Sequence, residues 1–393
     1  MPKRTLSSIS RRLLPLYIAA FLQSAVLWYA IEKLFMVDIG FNDASIGMMV
    51  AIMSVWMLVA EPLSGILADR WSRKGVVILG CVALALSALI GALSHNEIVF
   101  IISCILWGTY SALYSGTYES ILYDTTMEEH GSGKAYQRQL GTLRIIEGAA
   151  FVVGALAGGL AADALGLRET FWLSLVPVMV ALPFLVMFRE PKLHKAEIND
   201  PVLKHTRRTL AAVLRNKQLL PVIIATVGFA VVLETIFELS QLWFIALLAP
   251  LIIYGPVSAA VFSTWALGGV LAQRLRNRSS TLITLGIILI AMIVLIISRD
   301  YWVTLAAQVL AGTCLVALGV ILSQKLHDEL PSKLRAGSVS IIGALTRMVI
   351  IPFAILFTTI SQHQDVFTAS YLPFALVCAA GLSFLLMKER IRS

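Results

Sequence analysis

Twelve apolar runs divide this chain, at roughly 12–37, 44–68, 75–94, 97–122, 138–162, 169–188, 217–247, 251–272, 280–298, 301–324, 336–359 and 369–388. A helix needs roughly 17–25 such residues to cross a hydrocarbon layer about 30 Å thick. Inside that layer no water is present to bond a free N–H or C=O, so an apolar run of this length must be a helix and not a strand. Composition agrees: 58% of residues are hydrophobic, 14% are charged and the mean hydropathy is +0.85. A soluble domain carries roughly 25% charged residues as its skin, and the apolar surplus here must face lipid. The first run follows a basic tract, as in a secretory signal, but it continues to Met36 and more runs follow. It therefore reads as a span and not as a cleaved peptide. The least defined boundary is "LLAPLIIYGPV", between the seventh and eighth runs.

The charges between the runs set an orientation. The N-terminus, the even-numbered loops and the C-terminus hold 26 of the 31 Lys and Arg residues. The odd-numbered loops hold only Arg168 and Arg299, and the spans hold Lys33, Arg144 and Arg347. Basic loops stay on the cytoplasmic side, which predicts cytoplasmic termini and a multi-pass protein of the plasma (inner) membrane, with the lipid bilayer as its solvent.

The net charge of +8 is dispersed in short tracts between spans, so it marks topology and not a nucleic-acid groove. Cys81, Cys104, Cys314 and Cys378 stand alone within apolar segments; their spacing indicates neither a disulfide framework nor a metal site. No nucleotide loop, nucleophile motif or His/Asp metal set occurs. The expectation is no enzyme, no cofactor, no metal and no nucleic-acid partner.

Internal repeats fix the architecture. "GILADRWSRK" (from Gly65) matches "GVLAQRLRNR" at an offset of 204. At 206, Pro15 falls on Pro221 and Glu32 on Glu238; at 203, Gly116, Ser120 and Arg144 fall on Gly319, Ser323 and Arg347. The second half reads as a diverged copy of the first, and duplicated helical halves with a substrate site between them are a transporter architecture. The predicted domains are a six-helix bundle over 1–188, a cytoplasmic linker over 189–216 and a second bundle over 217–393. The linker contains either a short amphipathic helix from Val202 to Leu214 on anionic lipid or a solvated tether.

The loop Gly65-x-x-x-Asp69-Arg70-x-x-Arg73-Lys74-Gly75, between the second and third spans, resembles the signature loop of the major facilitator superfamily. Twelve spans, the 6+6 repeat, the long central loop and inner termini carry that resemblance over the whole chain. It implies a pseudo-symmetric fold of two six-helix halves around one cavity. It also implies a conformational latch of Gly65, Asp69, Arg70 and Arg73 with Asp124 on the fourth span, facing the eleventh span near Gly337. Small Gly65 would permit close helix approach, and Asp69 would face a helix N-terminus. Topology anchoring alone also accounts for Arg70 and Lys74. Two departures from drug exporters of the family keep the transport direction open. The fifth span, "GAAFVVGALAGG", lacks their proline, and the fourth has "YSGTYESILYD" in place of an Arg-centred motif.

Ionisable residues inside spans are costly and are candidates for function. Counted inward at 1.5 Å per residue, Glu61, Glu119, Arg144 and Glu147 fall roughly 6–14 Å from the inner boundary. Arg144 and Glu147 are i, i+3 neighbours. They read as a proton-coupling cluster, with a fixed Arg144–Glu119 brace as the structural alternative. Nearer the outer leaflet stand Glu32 and Lys33 on the first span and Glu234 and Glu238 on the seventh. The repeat makes these spans equivalent, and the resemblance places them on the cavity. They read as an outer gate, with Glu234 as a contact for a cationic substrate, or as interface charges snorkelling outward. Arg347 on the eleventh span is expected to meet an anionic partner in the cavity. Tyr110, Tyr114 and Tyr118, at i, i+4 and i+8, suit a cavity for amphipathic molecules or plain helix packing.

These features predict a proton-coupled secondary transporter working by alternating access, with a small-molecule substrate. Export of amphipathic or cationic organic compounds by antiport is the first reading. Uptake of a sugar, organic acid or other small nutrient by symport is the alternative. No sequence feature calls for an oligomer, and a monomer is expected.

Overall fold

The computed structural model describes residues 6–130, 133–191, 219–275, 277–329 and 332–387. Side chains are described for all of these except 6–10, Asp69, His130, Gly133, Lys134, 327–329 and 332–340. The linker expected over 189–216, with its helix at Val202–Leu214, lies almost wholly outside the described residues. Among the described residues all regular structure is helical, and twelve stretches from Arg11–Asp38 to Val366–Leu385 are long and apolar enough to cross a bilayer. They correspond one for one to the apolar runs.

In the first half the helices are α1 (Leu6–Ser24), α2 (Glu32–Asp38), α3 (Asp43–Arg70), α4 (Arg73–Leu93), α5 (Glu97–Tyr114), α6 (Thr117–His130), α7 (Gly133–Leu165) and α8 (Glu169–Met187). In the second they are α9 (Leu220–Ala246), α10 (Tyr254–Arg274), α11 (Arg278–Ile297), α12 (Tyr301–Glu329), α13 (Ser332–His363), α14 (Val366–Ala369) and α15 (Tyr371–Leu385). Where the seventh and eighth runs were hard to separate, α9 ends at Ala246, a 3-10 turn covers Leu251–Ile253, and α10 starts at Tyr254.

Two runs that read as continuous helices are broken. The fourth splits at Ser115–Gly116, where Gly116 takes φ +70°, a left-handed conformation that glycine adopts without a Cβ clash. The first splits between α1 and a 3-10 turn at Trp28–Ile31. The backbone groups freed there find partners. The Ser174 hydroxyl on α8 accepts from the N–H of Leu27 at 2.8 Å and of Trp28 at 3.4 Å, and donates to the Thr170 carbonyl at 2.7 Å. This is how broken helices survive at membrane depth.

Packing divides the chain into two compact units: Met1–Phe41 with Val55–Glu197 and Pro250–Phe262, and Asn42–Ser54 with Ile198–Ala249 and Ser263–Ser393. In the first, α4 packs along α5 and α8, and α1 along α7 and α8. Glycines on α7 permit the closest approaches. A Cβ at Gly154 would lie 2.8 Å from the Val26 carbonyl oxygen, one at Gly158 would collide with that of Leu27, and one at Gly159 would lie 2.6 Å from the Gly255 Cα. Packing thus explains Gly154, Gly158 and Gly159 of "GAAFVVGALAGG", whereas a Cβ at Gly148 would meet nothing within 4 Å. In the second unit α9 packs on α12, α13 and α15, and α11 on α12 and α15. The start of α3 joins it: Gly47 sits against Thr358, the Asp43 carboxylate accepts from the Ser361 hydroxyl, and the Asp43 N–H donates to Gln362 Oε1 at 2.9 Å.

Between α13 and α14, the Asp365 carboxyl accepts from the Thr368 backbone N–H at 2.6 Å. That bond, with Arg299 adding, holds it below the usual carboxylate range. The resulting stabilisation is complete above the unfolded value of about 3.9 and is lost as pH falls through the lower folded value.

A side chain at Gly158 has no room. Gly158→Val should lower stability by about 1–3 kcal/mol, read as a lower unfolding midpoint in detergent. Gly286→Ala, where a Cβ meets nothing within 4 Å, should be neutral or stabilising by up to about 1 kcal/mol.

Candidate functional site

The break at Gly116 starts α6 afresh and places Glu119 in its first turn, beside α7. The Arg144 guanidinium on α7 then reaches two carboxylates: Nη1 bonds Glu147 at 2.8 Å, and Nη2 bonds Glu119. The Tyr114 hydroxyl donates to the other oxygen of Glu147. Glu147 is 8% exposed, whereas the side chains of Glu119 and Arg144 are 39% and 57% exposed. Three of the four predicted coupling residues therefore form one cluster. Its formal charge, two carboxylates against one guanidinium that does not deprotonate, is one negative.

The tyrosine stripe abuts it. Tyr118 and Tyr114 stack with ring centroids 4.1 Å apart, and Tyr114 and Tyr110 are 5.4 Å apart. Gln23 on α1 donates to the Tyr118 hydroxyl at 2.8 Å. The ring contacts continue through Trp107 and Tyr29 to Phe262 and Phe151, each step between 5.1 and 6.0 Å. Tyr110 and Tyr118 are buried, while Tyr114, Trp107, Tyr29, Phe262 and Phe151 are half-buried. The predicted stripe is thus part helix packing and part accessible aromatic wall. Its extension beyond Tyr110 was missed because Tyr29 and Phe262 are far from α5 in sequence.

Between the start of α4 and the first half of α6, Arg73 pairs with Asp124 and donates to the Ser120 carbonyl at 3.4 Å. Two members of the expected latch therefore meet within one unit. The side chain of Asp69 lies outside the described ones, and Gly337 falls in the stretch 332–340 where no side chain is described. Arg70 is exposed at the end of α3, and a Cβ on Gly65 would meet no described atom within 4 Å. Glu190, just past α8, accepts from the Ser72 hydroxyl at 2.8 Å and the Arg73 N–H at 2.7 Å, so it caps α4 together with Ser72. Arg12 bonds Glu129 at 2.9 Å and Glu128 at 3.3 Å, and the Tyr17 hydroxyl donates to Gln139 at 2.6 Å. Sequence reasoning passed over all of these. Only the Ser72 cap has a local signal; the other partners are more than a hundred residues apart.

A recess of about 440 Å³ opens here, lined by Arg73, Glu119, Ser120, Tyr123, Asp124 and Tyr136 among others. Elsewhere, Lys33 pairs with Glu32 and both are buried. Glu61 is half-buried on α3, as are Glu234 and Glu238 on α9 and Arg347 on α13. Among the described residues no group of His, Cys, Asp and Glu has the arrangement of a metal site.

Among the described residues the chain is all-helical, with twelve stretches long and apolar enough to cross a bilayer and with paired charges and aromatic rings inside it, the class of a multi-pass membrane protein. The family model of the Major Facilitator Superfamily matches residues 13–355, and the chain belongs to that family. It is 26% identical over 197 residues to the multidrug resistance protein MdtG of Salmonella typhi, covering 50% of this chain and 47% of that one. It is 21% identical over 155 residues to the quinolone resistance protein NorA of Staphylococcus aureus, covering 39% of each. These matches span about half or less of the length of those relatives. Among solved structures, the nucleoside transporter NupG superposes with a TM-score of 0.78 at 15% identity, covering 96% of this chain and 100% of that one. A D-xylose-proton symporter does so with 0.67 at 15% identity, covering 96% and 97%. The likeness to these structures is one of fold.

The Arg73–Asp124 pair is part-buried, with side-chain exposures of 22% and 16%, so its coupling should be measurable. A double-mutant cycle of Arg73→Ala and Asp124→Ala should give an interaction of about 1–3 kcal/mol in unfolding stability. Strictly additive losses would contradict the pairing.

Proposed function

We propose that the protein is a proton-coupled secondary active transporter of the inner membrane, with both termini cytoplasmic, that exports amphipathic or cationic organic compounds by alternating access. The observation that carries this reading is the Glu119–Arg144–Glu147 cluster at the end of the aromatic wall. Its single excess negative charge makes it neutral when it holds one proton. Proton and cationic substrate then compete for the same charge, which is the physical content of antiport. When a proton neutralises one carboxylate, Arg144 turns wholly to the other. The half-buried rings of Tyr114, Trp107, Tyr29 and Phe262 give an amphipathic molecule an apolar, polarisable surface. The partial likeness to MdtG and NorA, named for drug resistance, supports export.

The moving bodies in this reading are the bundles 1–188 and 217–393, joined by 189–216. Asp69, Arg70, Arg73 and Asp124 latch them at the face of the basic loops, and Gly65 leaves room there for the partner helix. Lys33 with Glu234 or Glu238 gates the opposite face, where Gly47 on Thr358 and Gly159 on Gly255 supply close packing. Arg347, the repeat counterpart of Arg144, offers a cation to the cavity from the second half.

Uptake by proton symport is the second reading. It is favoured by the superposition on a D-xylose-proton symporter and on a nucleoside transporter over 96% of this chain.

Proteoliposomes decide between them. With ethidium as the probe, antiport predicts accumulation in vesicles that are acidic inside. Accumulation driven by inward proton flow would favour symport. In Glu147→Gln, pH-driven accumulation should fall at least about a hundredfold, the scale of losing a positioned proton-transfer group, while ethidium exchange without a gradient stays within about threefold. A Glu147→Gln protein that keeps full pH-driven transport would remove the cluster from the mechanism.

A further inference from the structure

The cluster touches two environments. Glu147 is buried and takes no part in lining the recess, whereas Glu119 forms part of its wall. Arg144 binds both carboxylates. The recess lies among the start of α4, the first half of α6 and the start of α7, and those starts of α4 and α7 follow the basic second and fourth loops. At about 440 Å³ it has room for on the order of ten waters at about 30 Å³ each.

We infer that this recess is the route by which the proton of the cluster reaches the face of the basic loops, with Glu119 as the last carboxylate on it. The inference rests on the proton-coupling reading above but holds for either direction of substrate movement. The transfer balances without any other reagent. An O–H bond at Glu147 breaks and one at Glu119 forms, while the Arg144 guanidinium turns from Glu119 to the newly charged Glu147. Glu119 then gives the proton to water in the recess and returns to Arg144. The titratable and charged groups around this path include Tyr110 and Tyr114 of α5 and Tyr118 of α6 near Glu147, Arg73 of α4, Tyr123 and Asp124 of α6, and Tyr136 with Arg144 of α7. Because Asp124 and Glu119 share one recess, the departing proton passes the Arg73–Asp124 ion pair. Proton release and the latch are therefore adjacent, a link that sequence spacing alone leaves invisible.

The test closes the recess after folding. Ser120 lines it, and of the native cysteines Cys378 is exposed while Cys81, Cys104 and Cys314 are buried. Ser120→Cys is therefore made in a Cys378→Ser background, reconstituted and labelled with a bulky methanethiosulfonate. Time-resolved infrared spectroscopy after a pH jump follows the carboxylic C=O band that is missing in Glu147→Gln. Labelling should slow the appearance of that band by about tenfold or more, a barrier of about 1.4 kcal/mol, and unlabelled Ser120→Cys should match the parent. Glu119→Gln should slow it as well. Full labelling with an unchanged rate would overturn the route while leaving Glu147 as the proton carrier. If no band depends on Glu147, the coupling assignment falls and takes the route with it.

Discussion

Hydrocarbon supplies no hydrogen bonds, so the backbone polar groups of each span in this protein must be answered by others of the chain. That constraint explains features of several kinds. It turns the twelve apolar runs into helices, and it requires the Ser174 hydroxyl at the break before Trp28, where two backbone N–H groups leave their helix. It also explains why the charge inside the first half is gathered. A charged residue inside a span is costly unless it is paired, and Arg144 is paired with both Glu119 and Glu147.

The gathering leaves a remainder. One guanidinium cannot neutralise two carboxylates, so the cluster is balanced only when a proton joins it. The odd carboxylate stands beside a run of aromatic rings, and part of that run is accessible. Carboxylates and apolar surface therefore meet in one place, which the proposed exchange of protons for amphipathic molecules would require.

Periodicity and charge bias made the fold legible. Apolar runs of spanning length gave the number of helices, and the match of Gly65–Lys74 to Gly269–Arg278 pointed to duplication. The i, i+3 spacing of Arg144 and Glu147 foretold their contact, and Glu119 followed from counting depth. The helix breaks at Trp28 and Gly116 stayed hidden, because an apolar run reads the same whether or not the helix within it turns. Gly116 does so through a positive φ that only glycine takes readily. The ties of Glu190 to α4 and of Arg12 to α6 were equally out of reach, since they join residues distant in sequence and depend on how the helices pack. The segments Asn42–Ser54 and Pro250–Phe262, which cluster with the opposite half of the chain, likewise carry no local mark.

The central claim of the proposed function is a count: exchange of protons for substrate requires the cluster of Glu119, Arg144 and Glu147 to take up one proton. Potentiometric titration of the purified protein against the Glu119→Gln, Glu147→Gln double variant measures it directly. The account predicts that the native protein binds one proton more than the variant as the solution is acidified across the working range. A difference of zero, or of two, would contradict it.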